Sequence, residues 1–139
     1  MNFDTPEPLH DILTDWEKNA MLVCSVILTA NAGVVLEWKG HVIWVDALHT
    51  EEIPGFSTVS PTLWKRMQTV LPPPELLCFT HCHPDHYSFR LASEARMIWP
   101  AAKLALPRQD FGDQLLIAGE ETRFSGEGMA LRFLRLPHD

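Results

Sequence analysis

The apolar residues of this chain fall in short runs separated by turn signals, a pattern typical of β-strands. Residues 21–30, 31–38 and 41–48 are rich in valine, isoleucine and leucine, and β-branched residues favour strands. Turn residues at Ala30–Asn31 and Lys39–Gly40 separate the three runs. The pattern predicts an antiparallel meander, and because its strands are apolar nearly throughout we expect them to be covered on both faces.

Beyond the meander, segments predicted as helices alternate with short apolar runs predicted as strands. The clearest helix begins at Ser60–Pro61, an N-cap followed by proline, and ends at Val70 before three prolines. Further strands are expected over 75–80, 103–107 and 129–136, and further helices from Tyr87 to near Met97 and over 108–118 with Gly119 as C-cap. Residues 1–18 are expected to form a short helix or to lie on the surface. The alternation indicates the α/β or α+β class with layered sheets and helices.

Length, composition and charge are those of one folded domain without a basic surface. The chain has 139 residues, of which 46% are hydrophobic and 21% charged, close to globular averages. We therefore treat residues 1–139 as a single domain. The net charge of −7 argues against binding to nucleic acid or to an anionic membrane, since both need a basic face.

The uncharged stretch from residue 19 to residue 36 raises the question of a membrane helix. Polar residues and a glycine interrupt it, so we interpret it as two strands around a turn. The acidic N-terminus does not resemble a signal peptide. Three cysteines are too few for a disulfide framework, so we expect a cytoplasmic protein. Cys24 and Cys78 are expected in strand cores, with Cys82 as a core thiol.

The segment from Thr80 to His86 carries the candidate chemistry, because three histidines and a carboxylate fall within six residues after an apolar strand. Alternation along a strand end places His81 and His83 on one side, about 6–7 Å apart. Pro84 forces a turn that brings Asp85 and His86 back toward them. Imidazole and carboxylate donors favour zinc, manganese or iron over calcium, so the sequence predicts a metal site.

At these residues the sequence resembles the metallo-β-lactamase superfamily. The HxHxDH signature stands as His81, His83, Asp85 and His86, and the preceding meander resembles the family's opening, in which an aspartate at the position of Asp46 lies near the metal. The resemblance implies an αββα sandwich that binds one or two zinc ions, with manganese or iron as alternatives. It also implies hydrolysis of a small ester, lactone or phosphodiester by a metal-activated water.

The same resemblance implies a role for each matching residue. His81, His83 and His138 would bind the first metal ion, and Asp85 and His86 the second. Asp85 would also orient the attacking water or accept its proton, which makes it the candidate catalytic residue. Asp46 either lies beside the metal or accepts backbone hydrogen bonds at the strand end.

The sequence departs from the family's pattern after His138, where the chain has one more residue. The family's later motifs, a bridging aspartate and a further histidine, have no counterpart here. We therefore expect this chain to correspond to the first half of the fold, as a fragment or part of a larger assembly, and to be inactive in isolation. Half a sandwich leaves a sheet face uncovered, which favours self-association.

Two other hypotheses stay open at this point. One is a non-catalytic metal-binding or scaffold remnant of the same fold. The other is an oxygen- or redox-active relative with a di-iron site, since the same donors bind iron. A small-molecule substrate is the expected partner, and its identity lies in loops outside the motif. His49 follows the third predicted strand, beyond Asp46, and is expected to lie in solvent on a loop.

Overall fold

The computed structural model describes residues 24–137. The opening segment over 1–18, the start of the first predicted strand and His138 lie outside the described residues, so the predictions made for them stay predictions. Within the described range, no helix has the length and apolar character needed to cross a membrane.

The described chain is a mixed α/β structure with one six-stranded sheet, a β-hairpin and two helices, which confirms the predicted class at this level. The sheet contains, in spatial and chain order, β1 (Ser25–Leu28), β2 (Val34–Trp38), β3 (His41–Val45), β4 (Leu76–Cys78), β5 (Lys103–Leu106) and β6 (Leu115–Leu116). The hairpin contains β7 (Glu121–Gly126) and β8 (Met129–Leu134), and the helices are α1 (Pro61–Val70) and α2 (Phe89–Ile98).

Strand direction changes at β3, and this change positions the candidate site. β1, β2 and β3 pair antiparallel, as the predicted meander requires. β3, β4, β5 and β6 then pair in parallel. Parallel pairing brings the carboxyl ends of β3, β4 and β5 to the same edge of the sheet, where ligand sites of α/β sheets commonly lie.

One face of the sheet packs against the two helices. Trp44, Leu77 and Leu104 project from the parallel strands into a core that also contains Trp64 of α1 and Leu91 of α2. The rings of Trp44 and Trp99 meet edge to face with centroids 5.0 Å apart, a geometry that aromatic pairs favour. Both helices begin with a serine whose side chain accepts a backbone N–H, Ser60 for α1 and Ser88 for α2.

The opposite face of the sheet packs against the hairpin. Ile43, Leu76, Cys78 and Ala105 form a second apolar cluster with Met129. The burial of β7 and β8 alternates along each strand, so one side of the hairpin faces this cluster and the other faces outward. The cover is partial, since a cavity of about 190 Å³ remains between hairpin and sheet.

The expectation that the meander is covered on both faces is wrong for β1. β1 is an edge strand, and its Val26 and Leu28 are 58% and 77% exposed. Ile27, which points to the opposite side, is the β1 residue that packs against the core. Cys24 is also exposed rather than buried in a strand, whereas Cys78 is buried as expected. An apolar sequence alone does not distinguish an edge strand from a central one.

The predicted helix over 108–118 is wrong, because this segment forms a loop followed by β6. The side chain of Gln114 accepts the backbone N–H groups of Asp110 and Phe111, each at 2.8 Å, and so satisfies donors locally without a helix. Gly112 in the middle of the segment also disfavours helix. Gly119 takes a positive φ of 74° in the turn before β7 rather than capping a helix.

The sequence interpretation also missed β7, the first strand of the hairpin. Its residues pair with β8 so that Gly126 faces Met129, and the connection is the two-residue turn Glu127–Gly128. Gly128 has a positive φ of 73°, a conformation that glycine adopts without steric cost. The alternating side chains over 121–126 and the Glu127–Gly128 pair could have indicated this hairpin from the sequence.

Gly33 marks a close approach between the first turn of the sheet and the end of β3. A Cβ at this position would overlap Thr29 Oγ1 and lie 3.0 Å from the backbone oxygen of Ala30 and 3.1 Å from Cα of Ala47. The side chain can rotate away, but the two backbone atoms cannot move without shifting the turn.

We therefore predict that Gly33→Ala lowers the free energy of unfolding by about 1–3 kcal/mol through overpacking. Gly112→Ala is the matched control, because a Cβ at Gly112 meets no atom within 4 Å and its φ is not in the positive range. Urea denaturation followed by circular dichroism measures both. Equal stability of the two variants would contradict the close approach.

Candidate metal site

The residues predicted to carry chemistry lie where the parallel strands end. Asp46 directly follows β3, and the segment Thr80–His86 follows β4. The loop that begins after β5 brings Arg108 and Asp110 to the same edge. Backbone hydrogen bonds continue the ladders past the strand ends, from Asp46 N to Cys78 O and from Phe79 N to Ala105 O, both at 3.0 Å. The extended ladders fix where each loop starts.

His81, Asp85 and His86 place one donor atom each within 4.8 Å of one another. Nε2 of His86 lies 3.4 Å from Oδ2 of Asp85, and the rings of His81 and His86 have centroids 3.8 Å apart. The ring of His83 stands edge to face against that of His81 at 4.7 Å. All three donors are partly exposed, so an ion could reach them from solvent.

A tight turn around Pro84 produces this convergence. The backbone N–H groups of His86 and Tyr87 both donate to the oxygen of His83, at 2.9 and 3.0 Å. The turn reverses the chain between His83 and His86 and brings the second pair of donors back toward His81, as the sequence interpretation expected. Cys82 points away from the donors and packs against the core cluster of the helical face.

The carboxylate of Asp46 ties the end of β3 to this loop. Oδ1 accepts the backbone N–H of Thr80 at 2.7 Å, and Oδ2 accepts the Thr80 hydroxyl at 2.5 Å and Nδ1 of His86 at 2.9 Å. Asp46 is 3% exposed, and a buried carboxylate is stable only when it is well hydrogen-bonded. Its φ of 50° lies in the left-handed region, which aspartate tolerates better than most residues.

The same contacts select one tautomer for two of the candidate ligands. Nδ1 of His86 lies 2.9 Å from the Asp46 carboxylate, whereas Nε2 lies 3.4 Å from that of Asp85, so a neutral His86 ring favours the proton on Nδ1 and the lone pair on Nε2. The hydroxyl of Thr80 gives its one hydrogen to Asp46, and its oxygen therefore accepts from Nδ1 of His81 at 3.1 Å. His81 then also has its lone pair on Nε2. Hydrogen bonds of this kind orient metal-binding histidines and fix their tautomer.

A second polar group supports the loop from the side of β5. The hydroxyl of Tyr87 donates to Oδ2 of Asp110 at 2.7 Å, and Arg108 makes two hydrogen bonds to the same carboxylate at 2.8 and 2.9 Å. The Arg108 hydrogen bonds, with that from Tyr87, hold the pKa of Asp110 below its ordinary value. Burial, and then the hydrogen bond to Asp110, raise the pKa of Tyr87. Tyr87 therefore stays protonated and donates across the neutral range.

The cysteines near the site are poor candidates for nucleophiles. Burial, followed by the charge of Asp46, raises the pKa of Cys78 to about 12. Burial is also the largest cause of the raised pKa of Cys82. A thiol that stays protonated is a weak nucleophile and a weak metal ligand, so the chemistry falls to the histidines and the carboxylates.

The three grouped donors could hold a metal ion. Two imidazoles and one carboxylate are ligand types that zinc, manganese and iron all accept. The structure groups His81 with Asp85 and His86, while the resemblance assigned His81 and His83 to one ion and Asp85 and His86 to another. His138 lies outside the described residues, so its predicted role stays a prediction.

Two residues at this edge were misjudged or missed from the sequence. His49 is 1% exposed and donates from Nε2 to the backbone oxygen of Ala30 at 2.9 Å, so its expected place in solvent is wrong. The sequence interpretation predicted no role for Thr80. Its position between a buried strand and the first histidine could have indicated that its hydroxyl lies beside the candidate ligands.

A scan of protein-family models and a search of curated proteins found no match to this chain. The resemblance therefore rests on the motif and on the meander that precedes it.

We predict that Asp46→Asn lowers the free energy of unfolding by about 1–3 kcal/mol. Both oxygens of the Asp46 carboxylate accept hydrogen bonds, so the NH₂ group of asparagine would face a donor of Thr80 or His86 and would be buried without an acceptor. Asp113→Asn is the control, since Asp113 is exposed and pairs with Arg96 at the surface. Thermal unfolding at neutral pH measures both. If the two variants lose equal stability, Asp46 is not the structural link described here.

Proposed function

We propose that this chain is the metal-binding part of a metal-dependent hydrolase with the metallo-β-lactamase fold. The proposed reaction uses a metal-activated water on a small ester, lactone or phosphodiester. The observation that supports it most strongly is the grouping of His81, Asp85 and His86 after β4, with one donor atom of each within 4.8 Å of the others and Nδ1 of each ring within hydrogen-bond distance of Thr80 or Asp46. A buried carboxylate that hydrogen-bonds the ring of a candidate ligand, as Asp46 does with His86, is typical of metal sites.

The layer order also supports the proposed fold. Helices cover one face of the six-stranded sheet, and a β-hairpin begins a second β-layer on the other face. Helix, sheet and sheet are three of the four layers of an αββα sandwich. A site at the carboxyl ends of parallel strands agrees with the same architecture.

Each residue has a distinct task in the proposed reaction. A bound divalent cation would lower the pKa of a water molecule to about 7 and polarise the substrate's carbonyl or phosphoryl oxygen. His81 and His86 would hold the ion through Nε2. Asp85 would bind the ion or orient the water and take its proton. Asp46 and Thr80 keep both imidazoles in the binding tautomer, and His83, beside His81, is a further candidate ligand.

We predict that the protein binds at least one equivalent of zinc and that His81→Ala and Asp85→Ala each weaken binding by about 10-fold or more. His41→Ala is the matched control, because His41 pairs with Glu75 at the opposite end of β3. Equilibrium dialysis with elemental analysis measures the metal. Wild-type protein that binds no zinc, or variants that bind as the wild type does, would overturn the proposal.

Hydrolysis assays test whether this chain is catalytic by itself. Zinc-loaded protein is incubated with a p-nitrophenyl ester, a small lactone and a phosphodiester, beside the His81→Ala variant. Turnover that is lost in the variant supports a hydrolase and contradicts the scaffold alternative. Zinc binding without turnover of any of the three is the result expected both for a scaffold and for a chain that the sequence predicts to be inactive in isolation.

A further inference from the structure

The turn between β1 and β2 reaches across to the loop that carries the candidate ligands. Asn31, at the tip of this turn, donates from Nδ2 to the backbone oxygen of Asp85 at 3.1 Å. The two residues are far apart in sequence, and this hydrogen bond joins the first turn of the sheet to the Pro84 turn. Asn31 has a φ of 51°, a conformation that asparagine adopts more readily than most residues.

The turn is itself held in place by hydrogen bonds that do not involve the candidate ligands. Ser57 Oγ accepts the backbone N–H of Asn31 at 2.6 Å. The neighbouring oxygen of Ala30 accepts both the backbone N–H of Gly33 at 2.8 Å and Nε2 of the buried His49 at 2.9 Å. Because these contacts come from three parts of the chain, the Asn31 amide approaches Asp85 from a fixed support.

The bonded oxygen belongs to the peptide group that links Asp85 to His86. A peptide group is planar, so a hydrogen bond to its oxygen restrains the plane that contains the Cα atoms of Asp85 and His86, from which the two side chains project. Those side chains are two of the three candidate metal donors. Asp46 restrains His86 through its ring, whereas Asn31 restrains the backbone that the donors share.

We propose that Asn31 is a positioning residue that sets the geometry of Asp85 and His86 by holding their common peptide plane. The structural part of this proposal is independent of the metal. Its consequence for ligand binding rests on the proposed function, because it requires that Asp85 and His86 bind an ion.

Asn31→Gly tests the proposal, since glycine keeps the positive φ and removes only the side-chain amide. Lys39→Gly is the matched control, because Lys39 also has a positive φ, 49°, and lies in the exposed turn at the other end of β2. Hydrogen exchange measured by mass spectrometry on the metal-free protein follows the peptide covering residues 81–90. We expect exchange in this peptide to be about threefold faster or more in Asn31→Gly and near the wild-type rate in Lys39→Gly.

Cobalt binding is measured on the same three proteins, because the visible spectrum of bound Co²⁺ reports the arrangement of its ligands. We expect Asn31→Gly to bind Co²⁺ about 10–100-fold more weakly than wild type and with an altered spectrum. Lys39→Gly should bind it as wild type does.

The outcomes separate this inference from the proposed function. Unchanged exchange over 81–90 in Asn31→Gly overturns the positioning role, as does faster exchange spread equally over β2 to β5, which would indicate a general loss of stability. Local faster exchange in a protein whose wild type binds no Co²⁺ supports the positioning role and overturns the metal site. Local faster exchange with unchanged Co²⁺ affinity and spectrum overturns the consequence for the ligands.

Discussion

The buried carboxylate of Asp46 accepts three hydrogen bonds from the segment that follows β4, and the candidate site depends on them. Two of these bonds come from Thr80 and one from the ring of His86. Without the carboxylate, a backbone N–H, a hydroxyl and an imidazole would lose their shared acceptor at a largely enclosed position. The same atoms therefore stabilise the fold and orient the donors.

Parallel strands make this arrangement possible. β3 and β4 end side by side, so a residue directly after one strand can bond to residues directly after the other. The loop after β5 adds Asp110, which accepts the Tyr87 hydroxyl on the far side of the Pro84 turn. The β1–β2 turn adds Asn31 from the other direction. The donor-bearing loop is thus held at its start, its middle and its end by neighbouring strands and turns.

The sequence was sufficient for the elements that carry strong local signals. The meander, α1 with its Ser60 cap, β4, α2 and β5 could be predicted because periodicity, capping residues and prolines all agree there. The metal motif could be recognised because its spacing carries the chemistry in a single short segment. The convergence of His81 with Asp85 and His86 follows from the turn at Pro84.

The features that the sequence did not predict depend mainly on contacts between residues distant in the chain. His49 has the polar neighbours of an exposed loop, yet its hydrogen bond to Ala30 buries it. The segment after Arg108 contains good helix formers, but Gln114 satisfies its backbone locally and Gly112 weakens a helix. The hydrogen bond from Asn31 to Asp85 joins residues 54 positions apart and has no signature in the sequence around either residue.

The tautomers of the histidine rings test the central claim most directly, because Asp46 and Thr80 act on the candidate ligands through Nδ1. Long-range ¹H–¹⁵N correlation spectra of the ring nitrogens, recorded on the metal-free protein at neutral pH, distinguish the two neutral forms. The account predicts that His81 and His86 both carry the proton on Nδ1. Rings protonated on Nε2, or exchanging between the two forms, would contradict it.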